Sequence, residues 1–84
     1  MPTVLLIDGW RFFIYPNEGN EPFHIHVEKA EKEAKFWLDS VKFTAEPAVT
    51  YNMNSKDIRQ VKRIIFEYFE VFEEAWKDIH GNRS

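Results

Sequence analysis

Two histidines and a carboxylate lie within five residues of one another: His24, His26 and Glu28, in the stretch Pro22-Phe23-His24-Ile25-His26-Val27-Glu28. The stretch alternates with a period of two, as a half-buried strand requires, because successive side chains leave opposite faces of the pleat. Phe23, Ile25 and Val27 go one way, and His24, His26 and Glu28 go the other, roughly 7 Å apart at i and i+2. Two chemistries suit that face. His-x-His with a carboxylate is a ligand set for a divalent metal, with His24, His26 and Glu28 as donors. Alternatively, His24 or His26 acts as a general acid–base group beside Lys35 while Arg11 steadies a phosphate, as a metal-free ribonuclease or phosphodiesterase requires. The structural alternative is that His24 stacks on Trp37 and the polar face meets solvent or a partner. The chain has no Gly-rich phosphate loop, no nucleophile elbow and no His-Glu-x-x-His pattern. No cofactor is expected apart from a divalent metal at His24 and His26.

The elements that position this face follow from the same alternation. Glu33-Ala34-Lys35-Phe36-Trp37-Leu38 is the mate of the histidine strand, and residues 22–38 are predicted to form a hairpin turning within residues 29–32. Pairing Ile25 with Phe36 sets Val27 beside Ala34 and Phe23 beside Leu38. The same register sets His24 beside Trp37, His26 beside Lys35 and Glu28 beside Glu33. A slip by one residue would mix an apolar stripe with a titratable one. A first hairpin over residues 1–15 turns at Asp8-Gly9, a pair suited to a two-residue type I′ turn. Leu5, Ile7, Trp10 and Phe12 share one of its faces, and Val4, Leu6 and Phe13 the other, interrupted by Arg11. With both faces apolar, this hairpin is expected to be central or covered on both sides. Residues 16–22, with a proline at each end, form a loop. Val41-Lys42-Phe43 is read as an extension of the sheet, and residues 45–54, with Pro47, as an irregular crossover.

From residue 55 to 80 the period becomes helical. Ile58, Val61, Ile65, Tyr68, Phe72, Ala75 and Ile79 follow a 3-4 spacing, widened by Ile64, Phe69 and Trp76. Asn54 is placed as N-cap, Asp57 at N3, Met53 and Ile58 as a hydrophobic staple, and Gly81 as the C′ residue. The run would be about 39 Å long at 1.5 Å per residue. A compact chain of this size is nearer 30 Å across, so the helix must bend, fray or overhang. Its first half carries Lys56, Arg59, Lys62 and Arg63, and its second half Glu67, Glu70, Glu73, Glu74 and Asp78. This order opposes the helix macrodipole. Phe66 lies among those charges. Either the face is simply solvated, or Phe66, Arg59, Arg63, Glu70 and Glu74 meet an antiparallel neighbour, another small protein or a second copy, basic half on acidic half. The basic stripe also suits RNA phosphates.

Composition bounds the rest. Eight Phe, three Tyr and three Trp in 84 residues concentrate apolar area in few side chains, which a chain burying only about 60–65% of its surface needs. With no cysteine, neither disulfides nor thiolate metal sites contribute. A net charge of −3 disfavours non-specific nucleic-acid binding. Residues 1–7 lack the basic region and apolar length of a signal peptide, and no run approaches the roughly 20 apolar residues of a membrane span. A cytoplasmic location and no membrane partner are expected. The fold class read from these elements is α+β, a curved, mainly antiparallel sheet of four or five strands with one long C-terminal helix on one face, in one domain over 1–84.

Asn17-Glu18-Gly19-Asn20-Glu21-Pro22-Phe23-His24-Ile25-His26-Val27-Glu28, then Ala34-Lys35-Phe36-Trp37-Leu38 and Phe72-Glu73-Glu74-Ala75-Trp76, resemble domain-of-unknown-function family 4160. These are small bacterial proteins built around a Pro-Pro-His-x-His-Val strand. Phe23 stands where that motif has its second proline, and the turn after Lys29 lacks the usual Gly. The resemblance implies toxin–antitoxin-like pairing with another small protein, assigns no activity, and carries only His24 and His26 over as functional positions.

Overall fold

A computed structural model describes residues 3–81. Five strands, β1 (Thr3–Ile7), β2 (Trp10–Phe13), β3 (His24–Lys29), β4 (Lys32–Asp39) and β5 (Thr44–Tyr51), precede two helices, α1 (Ser55–Glu67) and α2 (Phe69–Trp76), and a final π-type turn, Lys77–Gly81. The strands form an open antiparallel meander in the order β1-β2-β3-β4-β5, and the fold is α+β. No helix among the described residues is long and apolar enough to cross a membrane.

The histidine hairpin has the register its alternation dictates. His24 pairs with Trp37, Ile25 with Phe36, His26 with Lys35, Val27 with Ala34 and Glu28 with Glu33, and the Leu38 amide donates to the Phe23 carbonyl at 3.0 Å. Its two-residue turn puts Ala30 at φ 55°, a conformation costly for a residue with a Cβ. The Asn52 side-chain amide steadies this turn by donating to the Glu31 carbonyl at 2.8 Å. At the first hairpin, Asp8 (φ 54°) and Gly9 (φ 82°) both take positive φ, as a type I′ turn demands.

Trp10, Phe12, Ile14, Ile25, Val27 and Phe36 line the covered side of the sheet, and Val61, Ile64, Ile65, Phe69 and Phe72 close over them. The helical stripe read from the sequence is the buried one. Asn54 caps α1 through a reciprocal capping box with Asp57, and Lys32 donates to Asp57 at 3.0 Å. The helical run is not continuous. It breaks at Tyr68 (φ −114°, ψ 27°), although the run contains no Gly or Pro. The break lets Ile64 and Ile65 on one side, and Phe69 and Phe72 on the other, all reach the twisted sheet. The molecule is 40 Å along its longest axis, with a radius of gyration of 12.1 Å.

Four expectations are corrected. The first hairpin is not central: β1 is an edge strand, and Leu6 is 69% exposed. A register shift between Thr3 and Leu5 turns Val4 toward the core, away from the face shared by Leu6 and Phe13. Residues 40–43 are a turn rather than strand, because the Asp39 carboxylate accepts from the Val41 and Lys42 amides at 2.9 and 3.0 Å. Residues 45–51 belong to β5, not to an irregular crossover. Pro47 is tolerated because β5 is an edge strand, where a missing donor removes no ladder bond, and a bulge opposite Lys35 and Phe36 absorbs it. Gly81 does not take the left-handed C′ conformation, since Gly9 is the glycine with positive φ among the described residues; the chain leaves α2 through the wider π-type turn instead.

Two outcomes follow. Phe72 is fully buried with its ring 5.2 Å from Phe12, so Phe72→Ala is expected to cost about 3–5 kcal/mol in a urea melt. The Asp57 carboxyl lies below its usual range, chiefly because Lys32 donates to it, against desolvation that pushes it up. A carboxylate with a lowered folded value contributes stability above its unfolded value, near 3.8, and that contribution fades as pH falls through the folded value. Asp57→Asn is expected to flatten the acid limb of a stability–pH curve below that point.

Candidate functional site

Parity puts His24, His26 and Glu28 on the face away from α1, together with Arg11 and Phe13 of β2 and Lys35 and Trp37 of β4. The histidines leave the sheet on the expected side, yet His24 is 0% exposed, so this end of the face does not meet solvent. Residues 16–22 cover it. Pro16 opens a short 3-10 turn, Pro16–Glu18, which carries the Glu18 side chain back over the start of β3. Glu18 Oε1 lies 2.8 Å from His24 Nε2 and 2.9 Å from His26 Nε2. The other nitrogen of His24, Nδ1, lies 2.8 Å from the Pro22 carbonyl oxygen.

Aromatic rings wall the site. His24 meets Trp37 edge-on at 5.5 Å, rather than stacked, and also meets Trp76 of α2 at 5.1 Å. His26 lies flat against Phe13 and edge-on to Tyr15. Trp76 also touches Phe23, so the end of α2 holds the start of the histidine strand from both its neighbouring positions. Burial pushes the Glu18 carboxyl up, but hydrogen bonds and charge from His26 and His24 together outweigh it and hold it below the usual carboxylate range.

The remaining candidates go elsewhere. Glu28 pairs with Arg11, which also donates to Thr3 at 2.9 Å and lies over the Phe13 ring. Lys35 donates to Glu21 at 2.7 Å and sits over Trp37. The carboxylate that joins the two histidines is therefore Glu18, not Glu28: the ligand-type atoms of Glu18, His24 and His26 all lie within 4.8 Å of one another. The acid–base arrangement asks for His24 and His26 to converge with Lys35 or Arg11 in an open cleft. Here His24 is enclosed, Lys35 is bonded to Glu21 and Arg11 to Glu28. His26 alone of the two histidines borders a groove, about 260 Å³ in volume, with Tyr15, Lys35 and Tyr51.

On the outer side of the helices, Phe66 is half-buried against Phe43, with ring centroids 5.1 Å apart. Arg59, Arg63, Glu70 and Glu74 are exposed. None of these four makes an ion pair among the described residues.

The family model described as "Domain of unknown function (DUF4160)" matches residues 9–77. The chain belongs to that family. The matched span takes in the covering loop, the histidine hairpin and α2, so Glu18 and both histidines lie inside the DUF4160 unit. No curated protein and no solved structure gives a significant match.

Glu18 was missed by sequence reasoning because a loop acid carries no periodicity. The signal that could have found it is two acids, Glu18 and Glu21, between prolines immediately before an His-x-His strand. Glu18→Ala leaves the buried His24 Nε2 without its partner and is expected to cost about 1–3 kcal/mol in urea denaturation. Glu28→Ala removes only the partly exposed pair with Arg11 and is expected to cost about 0–1 kcal/mol.

Proposed function

We propose that this chain is a protein-interaction module that works in an assembly of two chains, meeting its partner along the outer stripe of α1 and α2. One observation carries the reading: Arg59, Arg63, Glu70 and Glu74 are exposed without ion pairs among the described residues, while the cationic groups of the histidine face are engaged internally. Arg59, Arg63 and Phe66 follow a 4-3 spacing that keeps them on one side of α1, and Glu70 and Glu74, four apart, share one side of α2. The basic end is a shallow groove of about 820 Å³ lined by Lys56, Arg59, Gln60, Lys62, Arg63 and Phe66. The acidic end carries Glu70, Glu74 and Asp78 beside Val71 and Ala75.

A stripe that is basic at one end, acidic at the other and aromatic in the middle is complementary to itself about a twofold axis. A second copy, antiparallel, sets Arg59 and Arg63 against Glu70 and Glu74 twice over, with Phe66 and Phe43 near the axis. The toxin–antitoxin-like pairing implied by the family resemblance uses the same stripe with a different small protein. Charge complementarity of this kind steers association and fixes orientation more than it adds affinity.

Sedimentation equilibrium tests the self-pairing. A dimer is expected that weakens as salt rises from about 0.1 M to about 1 M, where the Debye length falls from about 10 Å to about 3 Å. Arg59→Glu with Arg63→Glu, and Glu70→Lys with Glu74→Lys, should each give monomers, and mixing the two variants should restore a heterodimer. A monomer at every salt concentration would contradict the self-pairing.

A further inference from the structure

We propose that Glu18, His24 and His26 form a binding site for one divalent first-row transition-metal ion, held by Glu18 Oε1 and the two Nε2 atoms. A carbonyl oxygen only accepts, so His24 Nδ1, 2.8 Å from that of Pro22, carries a hydrogen. A neutral ring with its hydrogen on Nδ1 has a bare lone pair on Nε2. That lone pair points at a carboxylate oxygen 2.8 Å away, which is also only an acceptor. Two acceptors at that distance attract only if a proton or a metal ion lies between them. His26 Nε2 addresses the same oxygen from 2.9 Å. Without a metal, His26 donates from Nε2 as a neutral tautomer, but His24, whose Nδ1 hydrogen is already on the Pro22 carbonyl, would need hydrogens on both nitrogens to donate to the same oxygen while wholly enclosed. One metal ion satisfies both lone pairs and the carboxylate together.

The surroundings are those of a metal-binding histidine. The bond from Nδ1 to the Pro22 carbonyl fixes the tautomer and aims Nε2, the outer-partner arrangement that orients ligating imidazoles. His24 cannot swing away, being enclosed by Trp37 and Trp76. The neighbouring cation, Lys35, is neutralised by Glu21. Two imidazoles and one carboxylate suit zinc, nickel, copper or ferrous iron, whereas magnesium and calcium prefer oxygen donors throughout. Bond lengths of about 2.0–2.2 Å imply ligand atoms about 3.3 Å apart in a tetrahedron. Glu18 must therefore draw back by about half an ångström from its contacts at 2.8 and 2.9 Å. Its side chain is 25% exposed on a loop and is the member free to do so. Of the three proposed ligands, His26 lines the groove that also holds Tyr15 and Tyr51. Bound metal would clamp the covering loop to β3.

The test is titration of the full chain, stripped with chelator, with Zn²⁺ by calorimetry and with Co²⁺ by visible absorption. One ion per chain is expected, with a d–d band, and Glu18→Gln or His26→Ala is expected to weaken binding by more than about 100-fold, beyond the loss that follows removal of an outer partner. His80→Gln should leave binding unchanged. His24 variants are avoided because the buried ring also packs against Trp37 and Trp76. NMR on the unmodified chain gives an independent reading: zinc should shift the imidazole resonances of His24 and His26 and leave those of His80 in place. Absence of one-to-one binding, binding that survives both Glu18→Gln and His26→Ala, or zinc shifts centred on His80 would each overturn the proposal.

Discussion

One carboxylate oxygen of Glu18 lies within 3 Å of two imidazoles, one of them fully enclosed, and the exposed side of the sheet is arranged to keep it there. A histidine enclosed between Trp37 and Trp76 has no water to satisfy its nitrogens, so both partners must come from the chain. The loop between Pro16 and Pro22 supplies them, Glu18 for Nε2 and the Pro22 carbonyl for Nδ1. The loop thus belongs to the folded unit as firmly as a strand does. The same contacts place the His24 Nδ1 hydrogen on the Pro22 carbonyl and turn Nε2 toward Glu18.

The two sides of the sheet divide the work. The covered side is a continuous apolar core in which Trp10, Phe12, Phe36 and Phe72 are the bulkiest fully buried side chains. The other side is a set of ion pairs and ring contacts: Arg11 with Glu28, Lys35 with Glu21, and the histidines with Glu18. The Arg11–Glu28 and Lys35–Glu21 pairs, being partly exposed, add little stability one by one, but they leave Arg11 and Lys35 engaged. Among the described residues, charge without an ion-pair partner lies instead along the outer side of α1 and α2, which is why pairing between chains is proposed for the helices and metal binding for the strand.

Much of this was legible from local patterns. Alternation from residue 23 to 38 carries the histidine hairpin because one face is apolar and a one-residue slip would bury Lys35 and expose Phe36. The 3-4 spacing from Ile58 to Ile79 carries the helices, and Asn54 with Asp57 marks where they begin. What stayed hidden depends on tertiary context. Pro47 reads as a strand breaker until β5 is known to be an edge; Val4 reads as sharing the face of Leu6 and Phe13 until the register shift turns it inward. The break at Tyr68 has no Gly or Pro to announce it. Glu18 is the largest omission, since a carboxylate six residues before His24 becomes its neighbour only when the loop folds back. Glu28, on the strand itself and in the right parity, was the natural substitute, and its pairing with Arg11 required knowing that β2 lies beside β3.

The central claim is that His24 is locked with its Nδ1 hydrogen on the Pro22 carbonyl and its Nε2 turned to Glu18. Long-range ¹H–¹⁵N correlation spectroscopy of the imidazole rings reads this directly. The account predicts a slowly exchanging hydrogen on His24 Nδ1 with a scalar coupling across the bond to the Pro22 carbonyl carbon. A His24 ring whose hydrogen resides on Nε2 alone, or whose two tautomers average as in a solvated histidine, would contradict it.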